Sequence, residues 1–170
     1  LDLSNNELLQ GSLPEFLPNG SLRSLLLSGT KFSGALPDSI GNLAMLSRID
    51  LSRCNFSGSI PNSMGNLTQL VYLDMSSNSL TGLIPSFSMA KKLTQIYLSH
   101  NDLTGKIDSL NWKDLLNLVI LDLGNNSLKG NIPASLFSLP SLQILRLFHN
   151  QFYGRLGFNV SCHLLNTLDL

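Results

Sequence analysis

A unit of about 24 residues recurs along the whole chain, and this repetition limits the possible folds more than any other feature. The segment 118–141 (LVILDLGNNSLKGNIPASLFSLPS) is one complete copy. A partial unit covers 1–21, a stub covers 165–170, and the full units begin at Leu22, Leu46, Leu70, Leu93, Leu118 and Leu142. One glycine per unit keeps the same register, at Gly11, Gly34, Gly58, Gly82, Gly105, Gly130 and Gly154. A fixed period of this length predicts a solenoid in which each turn packs against its neighbours.

The first half of each unit predicts a short β-strand. In Leu121-Asp122-Leu123 the two leucines point to one face and the aspartate to the other, because side chains alternate along a strand. Stacked copies form a parallel sheet on the concave side of the solenoid, with strands about 4.8 Å apart. A buried turn follows, and its peptide groups need partners that an asparagine amide can supply. The predicted ladder of such residues is Asn6, Thr30, Cys54, Asn78, Asn101, Asn126 and Asn150.

The second half of the unit reads G-x-[IL]-P. It occurs at 34–37, 58–61, 82–85 and 130–133. Glycine allows a tight bend or a close backbone approach, and proline suits the end of an extended segment. The following fragments SIGNL (39–43) and SMGNL (63–67) predict a short helical turn that ends at the glycine. We therefore expect a second short strand and a helical turn on the convex side.

These motifs carry a resemblance to a known family. The segment 46–69 (LSRIDLSRCNFSGSIPNSMGNLTQ) resembles the plant-specific leucine-rich repeat, LxxLxLxxNxLxGxIPxxLGxLxx, and the resemblance covers essentially the whole chain. Segments 19–40 and 90–105 are similar to receptor-like proteins of the vascular-wilt-resistance kind. These are cell-surface immune receptors with a large repeat ectodomain, one membrane span and no kinase.

The resemblance implies a fold and a function. The fold would be an α/β repeat solenoid, a right-handed superhelix with a concave parallel sheet and convex short strands and helical turns. The segment would recognise an extracellular protein or peptide ligand at the outer face of the plasma membrane. An adaptor or co-receptor kinase would bind regions outside this segment, and the single membrane anchor would also lie outside it.

Two alternatives remain open. The chain could belong to the ectodomain of a leucine-rich repeat receptor kinase, or to a secreted inhibitor of microbial wall-degrading enzymes. The residues downstream of Leu170 would decide between them. Both ends of the sequence fall inside an LxL strand, so we expect a fragment that dissolves poorly or associates end to end.

Charge and motif content argue against several other functions. Lys plus Arg and Asp plus Glu both number 11, and a balanced charge is unlike the basic patch of a nucleic-acid-binding protein. The sequence has no run of apolar residues long enough to span a membrane. It also lacks a nucleophile elbow, a phosphate-binding glycine loop and a kinase signature. We therefore expect no enzyme activity, no cofactor and no membrane contact by this segment.

The exposed positions of the predicted concave sheet form the candidate binding site. They carry aromatic and cationic side chains, which favour interfaces, although an ordinary solvated sheet is the alternative. The candidates are Arg48, Arg53, Tyr72, Gln95, Tyr97, His100, Arg146, Phe148 and His149. Asp50 and Asp74 occupy adjacent strands and should repel each other. Arg48 and Arg53 are placed to offset that repulsion.

Histidine and cysteine spacing does not favour a metal site or an internal disulfide. His100 and His149 lie two units apart, so their backbones should be about 10 Å apart, and no third ligand shares their register. We expect both histidines to be solvated. Cys54 and Cys162 lie four units apart, which is too far for a disulfide. Cys162 is therefore either free or paired outside this segment.

Five glycosylation sequons and two irregular loops complete the candidate features. The sequons are Asn19, Asn55, Asn66, Asn125 and Asn159. Asn55 and Asn125 flank the concave strands, where a glycan would compete with a ligand, and Asn66 lies on the convex turn. The loops at 108–117 and 157–163 depart from the repeat, and the first contains the single tryptophan. Irregular loops are possible contact sites.

Overall fold

The computed structural model describes residues 1–156 and 164–170 and consists of short strands joined by turns. In chain order the strands are β1 (Gln10–Gly11), β2 (Ser24–Leu26), β3 (Lys31–Ala35), β4 (Arg48–Asp50), β5 (Asn55–Ser59), β6 (Tyr72–Asp74), β7 (Ser79–Leu83), β8 (Gln95–Tyr97), β9 (Asp102–Lys106), β10 (Ile120–Asp122), β11 (Ser127–Gly130), β12 (Ile144–Arg146), β13 (Gln151–Phe152) and β14 (Thr167–Asp169). Helix α1 spans Ala134–Phe137, and 3-10 turns span Asp38–Asn42, Asn62–Asn66 and Trp112–Asp114.

The LxL segments form the predicted parallel sheet. Its seven strands have the order β14-β12-β10-β8-β6-β4-β2, and every pair is parallel. The middle residue of each strand points into the core, as Ile49, Leu73 and Leu121 do, and all three are fully buried. The flanking residues point to the opposite face, because successive side chains alternate. The prediction of a leucine-lined inner face and a polar outer face is confirmed.

A second parallel sheet forms on the other side of the core. Its order is β1-β3-β5-β7-β9-β11-β13, so its strands also follow the chain one unit at a time. The repeat glycine sits inside these strands with a left-handed backbone, as at Gly58 (φ 74°) and Gly82 (φ 76°). A side chain would be strained at that backbone angle, which explains the choice of glycine there. The predicted convex strands and helical turns are both present.

The helical turns do not end at their glycines as the sequence predicted. The first two continue one residue further, to Asn42 and Asn66. Gly41 and Gly65 instead allow neighbouring units to approach each other. A β-carbon on Gly65 would lie 2.5 Å from the carbonyl oxygen of Ser86 in the next unit. These glycines are therefore required for packing between turns of the solenoid, which the sequence of one unit does not reveal.

The irregular loop at 108–117 extends the core. It contains the 3-10 turn Trp112–Asp114, and the Trp112 indole is buried. The indole Nε1 donates a hydrogen bond of 2.8 Å to the carbonyl of Ile107. Because a buried indole needs a partner for its N–H, this bond makes the burial favourable. The loop thus adds a buried aromatic side chain to a unit in which Asp108 replaces the usual proline.

Candidate functional site on the concave sheet

The outward side chains of the concave sheet form two parallel rows. The first residues of the seven concave strands, which are the even-numbered strands from β2 to β14, form the first row: Ser24, Arg48, Tyr72, Gln95, Ile120, Ile144 and Thr167. The last residues form the second row: Leu26, Asp50, Asp74, Tyr97, Asp122, Arg146 and Asp169. Together these rows are called the concave surface below. Five of the nine predicted binding residues belong to it, and Phe148 lies two residues after the end of β12.

The turn after each concave strand presents a third set of side chains. One residue in each of five such turns has a left-handed backbone, with φ between 50° and 56°. These residues are Arg53, Ser77, His100, Asn125 and His149. Asparagine and histidine tolerate this conformation better than most residues. Arg53, His100 and His149 therefore lie at the rim of the concave surface rather than on its strands. All three side chains are exposed.

The second-row aspartates hold the turns that follow them. Asp74 Oδ1 accepts hydrogen bonds from the Ser76 backbone N–H (2.9 Å) and hydroxyl (2.6 Å). Asp50 accepts the same pair from Ser52. Asp122 accepts only a backbone bond, from Gly124. Oδ1 of each of these carboxylates thus holds the turn that follows it. Oδ2 of Asp74 instead contacts Tyr72, and Oδ2 of Asp122 pairs with Arg146.

Tyr72 and Tyr97 form an aromatic centre between the charged residues. Their ring centroids are 5.9 Å apart, and the planes are tilted by 49°. The Arg48 guanidinium lies 3.7 Å from the centroid of the Tyr72 ring, which is a cation–π contact. The Tyr72 hydroxyl donates to Asp74 Oδ2 at 3.3 Å. Burial, followed by the charges of Asp74 and Asp50, raises the pKa of Tyr72, so this hydroxyl keeps its proton.

Arg48 and Arg53 were expected to offset the repulsion between Asp50 and Asp74, but neither arginine forms an ion pair with these carboxylates in the described part of the chain. The two carboxylates are register partners on β4 and β6. Arg48 is stacked on Tyr72, and Arg53 points outward from the turn. Within residues 1–156 and 164–170 the ion pairs are Lys91 with Asp114 and Arg146 with Asp122. The sequence gives the positions of the arginines but not their side-chain directions.

Asp74 is expected to make stability depend on pH. Burial raises the pKa of its carboxyl, the Ser76 hydrogen bonds oppose this, and the Asp50 charge raises it further. A raised native pKa means that the folded chain holds this proton more tightly than the unfolded chain does. The contribution of Asp74 is therefore largest at low pH and is lost as the pH rises through the native pKa.

The variant Asp74→Asn tests this sign. At pH 7 the variant should melt at a higher temperature than the wild type, and the difference should shrink towards pH 3. Thermal unfolding followed by circular dichroism across that range measures it. Asp38→Asn, on an exposed convex turn, is the matched control and should change little. A constant difference at all pH values would contradict the assignment.

A hydrogen-bonded bridge joins the two histidines at the rim. Asn125 lies between them, and its Nδ2 contacts His100 Nε2 at 3.2 Å while its Oδ1 contacts His149 Nδ1 at 2.9 Å. The Phe148 ring packs edge-on against His149, with centroids 5.4 Å apart. The histidines are exposed as expected, but they are not independent solvated side chains. Among the residues that the structure describes, no three His, Cys, Asp or Glu side chains are grouped to hold a metal ion.

The ladder asparagines bond to peptide groups of two successive units. Asn126 Oδ1 accepts from the Leu103 N–H at 3.0 Å, and its Nδ2 donates to the carbonyls of Leu98 (3.0 Å) and Leu123 (3.1 Å). Asn78, Asn101 and Asn150 repeat this pattern. Within the part of the chain that the structure describes, Asn6 bonds only to Leu3 and Ser4 of its own turn.

The ladder also includes two smaller side chains. Thr30 Oγ1 donates to Leu27 at 2.7 Å, and Cys54 Sγ contacts the same carbonyl at 3.1 Å. Cys54 is buried and is a free thiol. Cys162 lies outside the described residues.

Comparison with known proteins identifies the family. Models described as leucine rich repeat match residues 44–103, 91–152 and 21–43. The chain belongs to the leucine-rich repeat family. Its strands, ladder and convex turns are therefore those of successive leucine-rich repeats.

Similar leucine-rich repeat proteins include plant receptors. Receptor-like protein 6 from Arabidopsis thaliana is 47% identical over 51 residues, which are 30% of this chain and 5% of that protein. Receptor-like protein 7 from the same plant is 52% identical over 46 residues, 27% of this chain and 5% of that protein. The matched parts thus span a small fraction of these relatives.

A solved leucine-rich repeat structure matches the whole fold. It is the Arabidopsis receptor kinase HAESA in complex with the peptide hormone IDA and the co-receptor SERK1. The TM-score is 0.93 at 32% identity, and the match covers 100% of this chain and 29% of that one. No helix within the described residues is long and apolar enough to cross a membrane.

The sequence analysis missed two apolar residues of this leucine-rich repeat surface. Ile120 and Ile144 are register partners on β10 and β12, on the same face as Tyr72 and Gln95. Both are half-buried. They share the x position before the middle leucine with Arg48 and Tyr72, so strand alternation could have identified them. The predicted binding residues were charged, polar or aromatic and did not include these two isoleucines.

The sequons and irregular loops differ in their surroundings. Asn19, Asn55 and Asn66 are exposed, whereas Asn125 is half-buried and takes part in the histidine bridge. Asn159 and the loop at 157–163 lie outside the described residues. The loop at 108–117 presents Asn111 and Lys113 to solvent, while its tryptophan serves the core.

Proposed function

We propose that this chain is an extracellular ligand-recognition segment of a plant receptor-like protein, active in the immune perception of a microbial protein or peptide. The concave surface supports this most directly. It places tyrosines, half-buried isoleucines, aspartates and arginine on one rigid sheet, and such mixtures favour protein recognition. The resemblance to Receptor-like proteins 6 and 7, and to an ectodomain solved with a peptide hormone, supports the same reading.

In this proposal the ligand contacts the concave surface and its rim. The contacts would include Arg48, Tyr72, Gln95, Tyr97 and Arg146, with Arg53, His100, Phe148 and His149 at the rim. An adaptor or co-receptor kinase would bind regions outside this segment, and the membrane anchor would also lie outside it. Exposed Asn19 and Asn66 are the proposed glycan carriers, because a glycan there leaves the concave surface free, whereas a glycan on exposed Asn55 would lie beside that surface.

A leaf assay tests the proposal. The full-length protein is expressed in plant leaves, which are then treated with culture filtrates from a panel of microbes, and the burst of reactive oxygen is measured. The double variant Tyr97→Glu/Arg146→Glu changes the charge at the centre of the concave surface. It adds a negative charge at position 97 and reverses the positive charge at position 146. It should abolish the response, with the amount of receptor at the cell surface unchanged.

A matched control distinguishes an effect of the concave surface from a general effect of added charge. Thr81→Glu adds a charge on an exposed position of the convex sheet and should respond like the wild type. An unchanged response in the concave variant would contradict the proposed site. A response to plant peptides but to no microbial filtrate would contradict the immune role and leave ligand recognition in place.

The main alternative is the ectodomain of a receptor kinase. The structural match to the ectodomain of the receptor kinase HAESA, which covers 100% of this chain, supports this alternative. The same concave surface would then serve the same kind of recognition. The full open reading frame decides, since a kinase domain after the membrane span is present in one case and absent in the other.

A further inference from the structure

The concave surface is divided into regions of different chemistry. At β4 and β6, Asp50 and Asp74 face outward as adjacent register partners. At β10 and β12, Ile120 and Ile144 do the same. Tyr97 on β8 lies between the two regions. A ligand that fits the whole surface must therefore match an acidic region, an aromatic centre and an aliphatic region, in that order.

The acidic region lacks a positive partner. Neither carboxylate forms an ion pair within the described part of the chain, because Arg48 is engaged with the Tyr72 ring. Like charges directly opposite each other on neighbouring strands are destabilising. A basic side chain placed between the two carboxylates would offset this repulsion and form charge-assisted hydrogen bonds with Asp50 Oδ2 and with Asp74 Oδ2, which also accepts the 3.3 Å bond from the Tyr72 hydroxyl.

The aliphatic region is an apolar surface next to charged side chains that already pair with each other. Ile120 and Ile144 are half-buried, and the neighbouring Asp122 and Arg146 already pair with each other at 3.5 Å. A charged ligand group gains little here because the local charges are compensated. A branched aliphatic side chain would cover both isoleucines and remove apolar surface from water, at about 25 cal/mol per Å².

Strand spacing sets the distance between the two regions. The centre of the acidic region lies between β4 and β6, and that of the aliphatic region lies between β10 and β12. Three strand spacings, about 14 Å, separate them across the sheet, and the two-residue step from the second row to the first adds about 7 Å along the strands, so the centres are about 16 Å apart. An extended peptide advances about 3.4 Å per residue, so four residues span about 14 Å, and the length of the basic side chain covers the remaining distance of about 2 Å. Residues four apart in an extended chain point to the same side, and the residue midway between them points to that side as well.

We propose that the concave surface selects an extended peptide segment that carries a basic residue and a branched aliphatic residue four positions apart. The basic side chain lies between Asp50 and Asp74, and the aliphatic side chain covers Ile120 and Ile144. The residue midway between them packs on Tyr97. This inference rests on the proposed function and specifies the ligand that the same site takes.

Matched peptide libraries test the spacing and the chemistry. Each library contains fluorescent nonapeptides, acetylated and amidated at their ends, with two fixed residues and the rest randomised. The fixed pairs are Lys and Ile four positions apart in either order, Lys and Ile three apart, Glu and Ile four apart, and Lys and Ser four apart. Retention on the immobilised full ectodomain is measured. One of the two Lys and Ile libraries with four-residue spacing should be retained about tenfold more than the Glu library.

Two pairs of variants assign the regions. Asp50→Asn/Asp74→Asn should abolish the preference for Lys over Glu and keep the preference for Ile over Ser. Ile120→Ser/Ile144→Ser should have the opposite effect. Asp38→Asn/Asp108→Asn makes the same charge change on exposed positions of the convex side and should leave both preferences intact. Circular dichroism and melting temperature confirm that each variant is folded.

The outcomes separate this inference from the function on which it rests. Equal retention of the Lys and Glu libraries, or of the three- and four-residue spacings, overturns the inference. So does failure to retain any library. In each of these cases the leaf assay with Tyr97→Glu/Arg146→Glu still decides whether the concave surface recognises a ligand at all.

Discussion

Replacing Asn126 with alanine is expected to lower the free energy of unfolding by about 1–3 kcal/mol. The amide accepts from Leu103 and donates to Leu98 and Leu123, so alanine leaves three peptide groups without this partner. Because these groups belong to two successive units, the loss weakens the contact between units as well as the turn itself. Urea unfolding followed by circular dichroism measures the change.

An exposed asparagine provides the matched control. Asn62 starts a convex 3-10 turn, and its side chain is exposed. Asn62→Ala should change the free energy of unfolding by less than about 0.5 kcal/mol. If Asn126→Ala has an equally small effect, water replaces the amide in the turn and the ladder does not stabilise the fold.

The variant Gly65→Ala is expected to cost about 1–3 kcal/mol through overpacking. Its β-carbon would lie 2.5 Å from the Ser86 carbonyl oxygen, which belongs to the backbone of the next unit and cannot rotate away. The two units must move apart to relieve this contact. Urea unfolding again gives the free energy, and a lower hydrogen-exchange protection at the joint between the two units would locate the disturbance.

Gly20→Ala is the control for this variant. The added β-carbon there would lie 3.2 Å from Leu43 Cδ2, at the flexible end of a side chain that can shift. The loss of stability should therefore be smaller than for Gly65→Ala. Equal losses in the two variants would mean that a general cost of replacing glycine, rather than contact between units, explains the effect.

Much of the fold follows from the sequence because its causes are local and periodic. Alternation in Leu121-Asp122-Leu123 sets the strand and its two faces, and the common period of the units sets the register between strands. The left-handed backbone of Gly58 follows from its place before Ile-Pro in the same way. Each of these features can be read within one unit and then repeated.

The features that the sequence does not show arise between units. The stacking of Arg48 on Tyr72 and the Asn125 bridge from His100 to His149 join residues about one unit apart. Register places such residues side by side, but several side-chain rotamers satisfy that register equally well. The packing role of Gly65 is similar, since its constraint comes from Ser86 in another unit.

The concave sheet keeps one-to-one register although the repeat glycines are separated by 23 to 25 residues. Length differences are accommodated on the convex side, where the Trp112 loop follows Asp108 in place of the usual proline. Insertions and deletions there leave the order of the outward concave side chains unchanged. Single substitutions on the concave surface, or the gain or loss of whole units, can therefore occur without changing the alignment of the other outward side chains.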